Sequence, residues 1–126
     1  MPLLAILRHE EGVRLDPDPL AALFSELGER AAEQVICRTM EDLAIRLALV
    51  QRHGEDGRPA PLAEEARRMA ALAARIGLAS LARVAGDVAA AADVRDHAAQ
   101  AATIARLVRV GERSLTAVWD LRDMTT

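Results

Sequence analysis

Of the side chains in this sequence that could serve as nucleophile, base or metal ligand, His9, His53, His97, Cys37, Ser80 and Ser114 call for weighing. His9 precedes Glu10 and Glu11, but no second histidine follows at helical spacing, so the run does not make a metal site. His53 stands just before Gly54, in the last turn of an expected helix, where a cation complements the helix dipole. His97 follows Asp93-Val94-Arg95-Asp96 at an expected helix start, which suits an exposed or capping role. Cys37 sits beside Ile36 with no histidine near it in sequence, the setting of a buried, inert thiol. Neither Ser80 nor Ser114 has an identifiable base. The adjacent pairs Glu10/Glu11 and Glu64/Glu65 point to different faces and form no carboxylate dyad. A glycine-rich phosphate loop and a cysteine pair are both missing, so no enzyme centre, metal or cofactor is expected. What remains is Arg67-Arg68, whose guanidinium groups are charged at any relevant pH and can grip a carboxylate with two parallel hydrogen bonds.

The elements that would position these residues are helices. Asp18 before Pro19 reads as an N-cap and N1 pair opening a short helix with Leu20, Leu23, Phe24 and Leu27, after Asp16-Pro17 breaks the chain. Gly28 kinks or ends it. From Glu29 to His53, Ile36, Met40, Leu43, Leu47 and Val50 recur at alternating four- and three-residue steps, one inward stripe. Gly54, Gly57, Pro59 and Pro61 then make a polar loop. A second long-period segment runs from about Leu62 to Arg75 with Leu62, Ala66, Met69, Leu72/Ala73 and Ile76 inward. Gly77 interrupts it. The next helix spans roughly Ala79 to Ala92 and turns Leu81, Val84/Ala85, Val88 and Ala91/Ala92 inward. Asp96 is the expected N-cap of a last helix from His97 to about Leu121, lined by Ile104, Leu107/Val108, Gly111, Leu115 and Val118. Residues 1 to 16 are the least readable; Leu3 to Leu7 fits a short strand or a helical arm.

Long helices, short connections and one apolar stripe apiece predict an all-α fold: an antiparallel up-and-down four-helix bundle over residues 29–126, preceded by an arm and short helix over residues 1–28. Composition agrees. The 126 residues suit one domain, alanine dominates, and the only aromatic residues are Phe24 and Trp119. Every basic residue is arginine. A net charge of −3 and a pI near 5.6 argue against a nucleic-acid partner. A single cysteine fits a reducing cytoplasm, and Met1-Pro-Leu-Leu-Ala-Ile-Leu is too short for a membrane span and lacks the basic flank of a signal peptide.

The segment Arg67-Arg68-Met69-Ala70-Ala71-Leu72-Ala73-Ala74-Arg75-Ile76-Gly77-Leu78, followed by Ser80-Leu81-Ala82-Arg83-Val84-Ala85, resembles the signature of histidine-containing phosphotransfer (Hpt) domains. Those four-helix bundles relay phosphoryl groups in bacterial two-component systems. The family pattern reads roughly His-x-Leu-Lys-Gly-Ser/Ala, four variable residues, then Gly and a hydrophobic residue. With the family glycine on Gly77, Arg67 stands where the acceptor histidine belongs, and Ala70 and Ala71 replace its lysine and glycine. The resemblance covers roughly residues 29 to 121.

A phosphoacceptor needs an exposed mid-helix position with small neighbours. Position 67 lies away from Met69, Leu72 and Ile76, and Ala63, Ala70, Ala71 and Ala74 should leave a flat surface around it. Access is kept, but guanidinium does not accept a phosphoryl group, and no histidine lies between His53 and His97. The resemblance thus implies a non-catalytic module that docks a response-regulator receiver domain or a histidine kinase through Arg67, Arg68, Ala70, Ala71 and Ala74. The Arg106, Arg109 and Arg113 stripe reads as solvent-facing. Two alternatives stand beside this: phosphotransfer through His97 or His53, and a structural homodimer formed through the N-terminal helix with its Phe24.

Overall fold

Apolar residues at three- and four-residue steps, with abundant alanine and few β-branched residues, leave helix as the favoured regular structure. In the computed structural model, which describes residues 13–125 and side-chain surroundings through residue 120, five helices form and no strand does among the described residues. They are α1 (Pro17–Leu27), α2 (Glu29–Glu55), α3 (Pro59–Arg75), α4 (Ala79–Asp93) and α5 (His97–Thr125). The arm at residues 1–12, with the Leu3 to Leu7 segment and His9, lies outside the described residues.

One motif ends three of these helices. Beyond α2, Gly57 N–H donates to the Gly54 carbonyl and Arg58 N–H to that of His53. Past α3, Gly77 donates to Ala74 and Leu78 to Ala73; past α4, Arg95 donates to Ala92 and Asp96 to Ala91. These paired back-bonds are the Schellman arrangement, which needs a left-handed residue at its centre. Gly57 (φ 65°), Gly77 (φ 78°) and Arg95 (φ 54°) supply it.

Each turn is therefore only three residues long, and each helix packs on its sequence neighbour, with α5 returning to α2. The α3–α4 interface is the most extensive. On these two helices Ala63, Ala66, Ala73, Ala85, Ala89 and Ala92 are all buried, and such small side chains let helix axes approach closely. Leu43, Val50, Leu62, Met69, Leu81, Val84, Val88 and Leu107 fill the centre. The inward stripes of α2 to α4 are those the spacing predicts, with Ile36 and Leu72 half-buried at the margins; α5 is turned from its expected stripe, burying Gln100, Val110, Ser114 and Ala117 beside Leu107 and Gly111 and leaving Ile104, Val108, Leu115 and Val118 half-buried.

Helix lengths are unequal, and that explains α1. At 27 and 29 residues, α2 and α5 are about 40 and 44 Å long, against about 26 and 22 Å for α3 and α4. Both short turns at residues 56–58 and 94–96 join at one end, so α2 and α5 project past the α3–α4 turn at the other. The segment before α1 hooks onto that turn. Asp16 N–H donates to the Gly77 carbonyl (2.7 Å), Arg14 N–H to Ser80 Oγ (2.6 Å), and Ser80 N–H to the Arg14 carbonyl (3.3 Å). Val13 is buried, and α1 rests on α2 and α3 with Leu20 and Leu23 half-buried against the core.

Several expectations need correction. The first N-cap is Asp16 with Pro17 at N1, not Asp18 with Pro19; Asp16 Oδ1 accepts from Asp18 N–H, so Asp16-Pro17 opens the helix instead of breaking the chain. Gly54 stays inside α2 because Ile104 packs over it: a Cβ there would come 2.7 Å from Ile104 Cδ1. The polar loop shrinks to residues 56–58, and Pro59 and Pro61 fall in the first turn of α3, where proline's missing N–H costs nothing. Gly28 ends α1 at φ 81°, and Asp96 caps α5 as expected, accepting from Ala99 N–H at 3.0 Å.

Candidate functional site

The middle of α3 presents the residues singled out from the sequence. Arg67, Arg68, Ala71 and Ala74 are exposed along one side of the helix, while Met69, Ala73 and Ile76 point into the core. Ala70 is half-buried at the edge of the strip. Ala63 is buried, contrary to expectation, as a member of the apolar core cluster.

Arg67 is held. Its Nη2 donates to Asp93 Oδ2 at the end of α4, with the two side chains 57% and 49% exposed. The acidic neighbour was invisible to local reasoning because it lies 26 residues away in sequence. Arg68 Nη2 reaches back one turn to Glu64 Oε1 at 3.1 Å. Both guanidinium groups keep further N–H donors, since each has five and the described ion pairs use one. A planar donor array beside a flat alanine strip suits a carboxylate-bearing surface.

A third arginine plays a different part. Arg46 on α2 donates through Nη1 to both oxygens of Glu65 on α3 (3.1 and 2.9 Å) and through Nε to Asp42 (3.1 Å). Hydrogen bonding to Glu65 pushes the Arg46 guanidinium up from its already high pKa, against the opposing effect of burial. This bridge ties α2 to α3, while the buried stripe of Leu62, Ala66, Met69 and Ala73 sets the rotation of α3 about its axis. Glu65 therefore faces α2, and Arg67 and Arg68 face outward.

The two histidines within the described residues lie at one end of the molecule, away from the middle of α3. His53 is half-buried in the last turn of α2, with Nδ1 buried and without a protein partner; His97 is exposed as the first residue of α5. Cys37 is half-buried, where a fully buried thiol was expected. Ser80 has a role the sequence did not announce, anchoring the segment before α1. Arg106, Arg109 and Arg113 are exposed on α5. Among the described residues, no three His, Cys, Asp or Glu side chains come together as a metal site requires, and no helix is long and apolar enough to cross a membrane.

A shallow groove runs between the end of α2 and the start of α5. It encloses about 620 Å³ and is floored by Ile104 and Val108, with Gln100 buried beneath and its Nε2 without a protein partner. Comparison of the chain with protein-family models, curated proteins and solved structures finds no match.

Proposed function

We propose that the chain is a non-catalytic docking module of the Hpt type, in which α2 to α5 act as an up-and-down four-helix bundle and the exposed strip of α3 engages a receiver domain or histidine kinase of a two-component relay. One observation carries the reading: Arg67 is exposed mid-helix on a flat alanine face, at the position the resemblance gives to the phosphoacceptor. A receiver domain's acidic pocket would meet the free edge of the Arg67 guanidinium where it otherwise meets phosphohistidine. Asp93 orients the guanidinium and competes for it. His53 and His97 offer no substitute acceptor on α3.

Titrating the protein against receiver domains encoded with it tests this. Binding should be lost in Arg67→Glu and strengthened in Asp93→Asn, which frees the guanidinium. Uniform absence of binding, or an Arg67→Glu protein that binds like the wild type, overturns the reading. Incubation with a phosphorylated receiver should leave no acid-labile label on the chain.

A further inference from the structure

On the side of the molecule opposite the Arg67–Asp93 pair, the α2–α5 groove has its own composition. Glu55 and Gln51 line it from α2, and stepping back by three or four residues along the same face gives Ala48, Ala44 and then Glu41, all exposed. On α5 the lining residues His97, Ala101, Ala105 and Val108 continue by the same step to Glu112. Each row is small or apolar in its middle, and its carboxylates are Glu41 and Glu55 on α2 and Glu112 on α5; His97, at the start of the α5 row, is the one basic side chain on either. Both helices carry arginines elsewhere, Arg38, Arg46 and Arg52 on α2 and Arg106, Arg109 and Arg113 on α5, but none falls in these rows.

Two helices that flank a shallow cleft with alanines, over an apolar floor of Ile104 and Val108, leave the space into which a further helix packs ridge into groove. The close approach at Gly54 and at Gly111, where an added Cβ would lie 3.1 Å from Leu47 Cδ2, keeps that floor shallow. The charges select the occupant. A second copy of this chain meeting the groove across a two-fold axis would set glutamate rows against glutamate rows. We infer that the α2–α5 groove docks an amphipathic helix of a partner protein, with an apolar seam and arginine or lysine near both ends. Glu41 and Glu55 stand 14 residues apart on α2, roughly 21 Å, which sets the spacing of the partner's cations. This surface is independent of the α3 strip, and the two lie on opposite edges, so both can be occupied together.

The test uses the full chain and two synthetic 18-residue amphipathic peptides sharing one leucine seam, the first with arginines at both ends and the second with glutamates. Titration followed by amide chemical shifts should show the arginine peptide moving residues 44, 48, 51, 101, 105 and 108. Its affinity should fall about tenfold in the triple variant Glu41→Gln, Glu55→Gln, Glu112→Gln, which removes three exposed charge pairs. A control with the same charge change elsewhere, Glu26→Gln, Glu64→Gln, Asp87→Asn, should retain affinity. Ala48→Arg, at an exposed helical position that tolerates the side chain, should abolish binding. The inference is overturned if neither peptide moves these amides, if both bind equally, if the two triple variants weaken alike, or if sedimentation shows self-association that Ala48→Arg abolishes.

Discussion

The three Schellman turns offer an internally controlled experiment, because the backbone motif is shared and only the surroundings of the central residue differ. At Gly57 (φ 65°) nothing lies within 4 Å of where a Cβ would stand. At Gly77 (φ 78°) a Cβ would overlap the Asp16 carbonyl oxygen outright. At Arg95 (φ 54°) a non-glycine residue already occupies the left-handed conformation. That conformation costs an L-residue roughly 1–2 kcal/mol, so Gly57→Ala should destabilise by about 1 kcal/mol and Arg95→Gly should stabilise by somewhat less, after the added entropy of the unfolded chain. Gly77→Ala carries the same conformational cost and must also push Asp16 away. That breaks the 2.7 Å bond from Asp16 N–H to the Gly77 carbonyl, worth about 1 kcal/mol, and loosens the Arg14–Ser80 pair and the burial of Val13. A loss of about 3 kcal/mol follows, a large part of the stability of a domain this size. Urea unfolding measures all three. Hydrogen exchange at the Asp16 and Ser80 amides should speed up in Gly77→Ala alone. If Gly77→Ala falls within about 0.5 kcal/mol of Gly57→Ala, the contact with Asp16 is not what holds the segment before α1, and the reasoning fails.

Other expectations concern the charged and buried polar groups. A double-mutant cycle on Arg46 and Glu65, whose side chains are 23% and 15% exposed, should give a coupling of about 1 kcal/mol or more; Arg67 and Asp93, about half exposed, should couple by less than about 0.5 kcal/mol. Ser114 is fully buried and its Oγ has no protein partner, so Ser114→Ala should raise stability by up to about 1 kcal/mol in thermal unfolding. Leu43→Ala, at a site with no exposure, should cost about 2–5 kcal/mol by urea unfolding.

What could be read in the sequence was what depends on period. The stripes of α2 to α4 follow from residues three and four apart, and Asp96 as a cap needs only its own neighbours; in α5 the larger side chains Ile104, Val108 and Leu115 pointed to a face that the packing turns aside in favour of Val110, Ser114 and Ala117. The misreadings share a cause: each depended on something distant in the chain. Gly54 looked like a helix end because local propensity cannot register Ile104 packing over it. Ala63 looked exposed because alanine gives no polarity signal, and burial there is decided by how neighbouring helices pack. Asp16 and Asp18 both precede a proline, so two cap registers were locally plausible; the bonds from the Asp16 and Arg14 backbone to the α3–α4 turn accompany the first. The acidic partner of Arg67 and the anchoring role of Ser80 were likewise out of local reach.

Gly77 shows how this bears on function. It was the residue on which the resemblance was aligned, a glycine at the junction between two helices. The fold supplies two local reasons for it, a left-handed helix terminus and the Asp16 carbonyl lying against its α-carbon. The second demands glycine in a helical protein of any function; the first only favours it, since Arg95 holds the same conformation past α4. The weight of the functional reading therefore moves from the glycine to the α3 surface. There the buried stripe of Leu62, Ala66, Met69 and Ala73 sets the rotation of the helix, and Arg67 stands exposed beside alanines that no packing contact keeps small: Ala71 and Ala74 face solvent, where arginine, glutamate or glutamine would serve a helix nearly as well. Flatness at those two positions is what a docking surface needs. Ala71→Arg and Ala74→Arg should consequently leave the unfolding midpoint unchanged while blocking receiver binding. A change in stability without a change in binding would return those alanines to the ordinary composition of an alanine-rich helix.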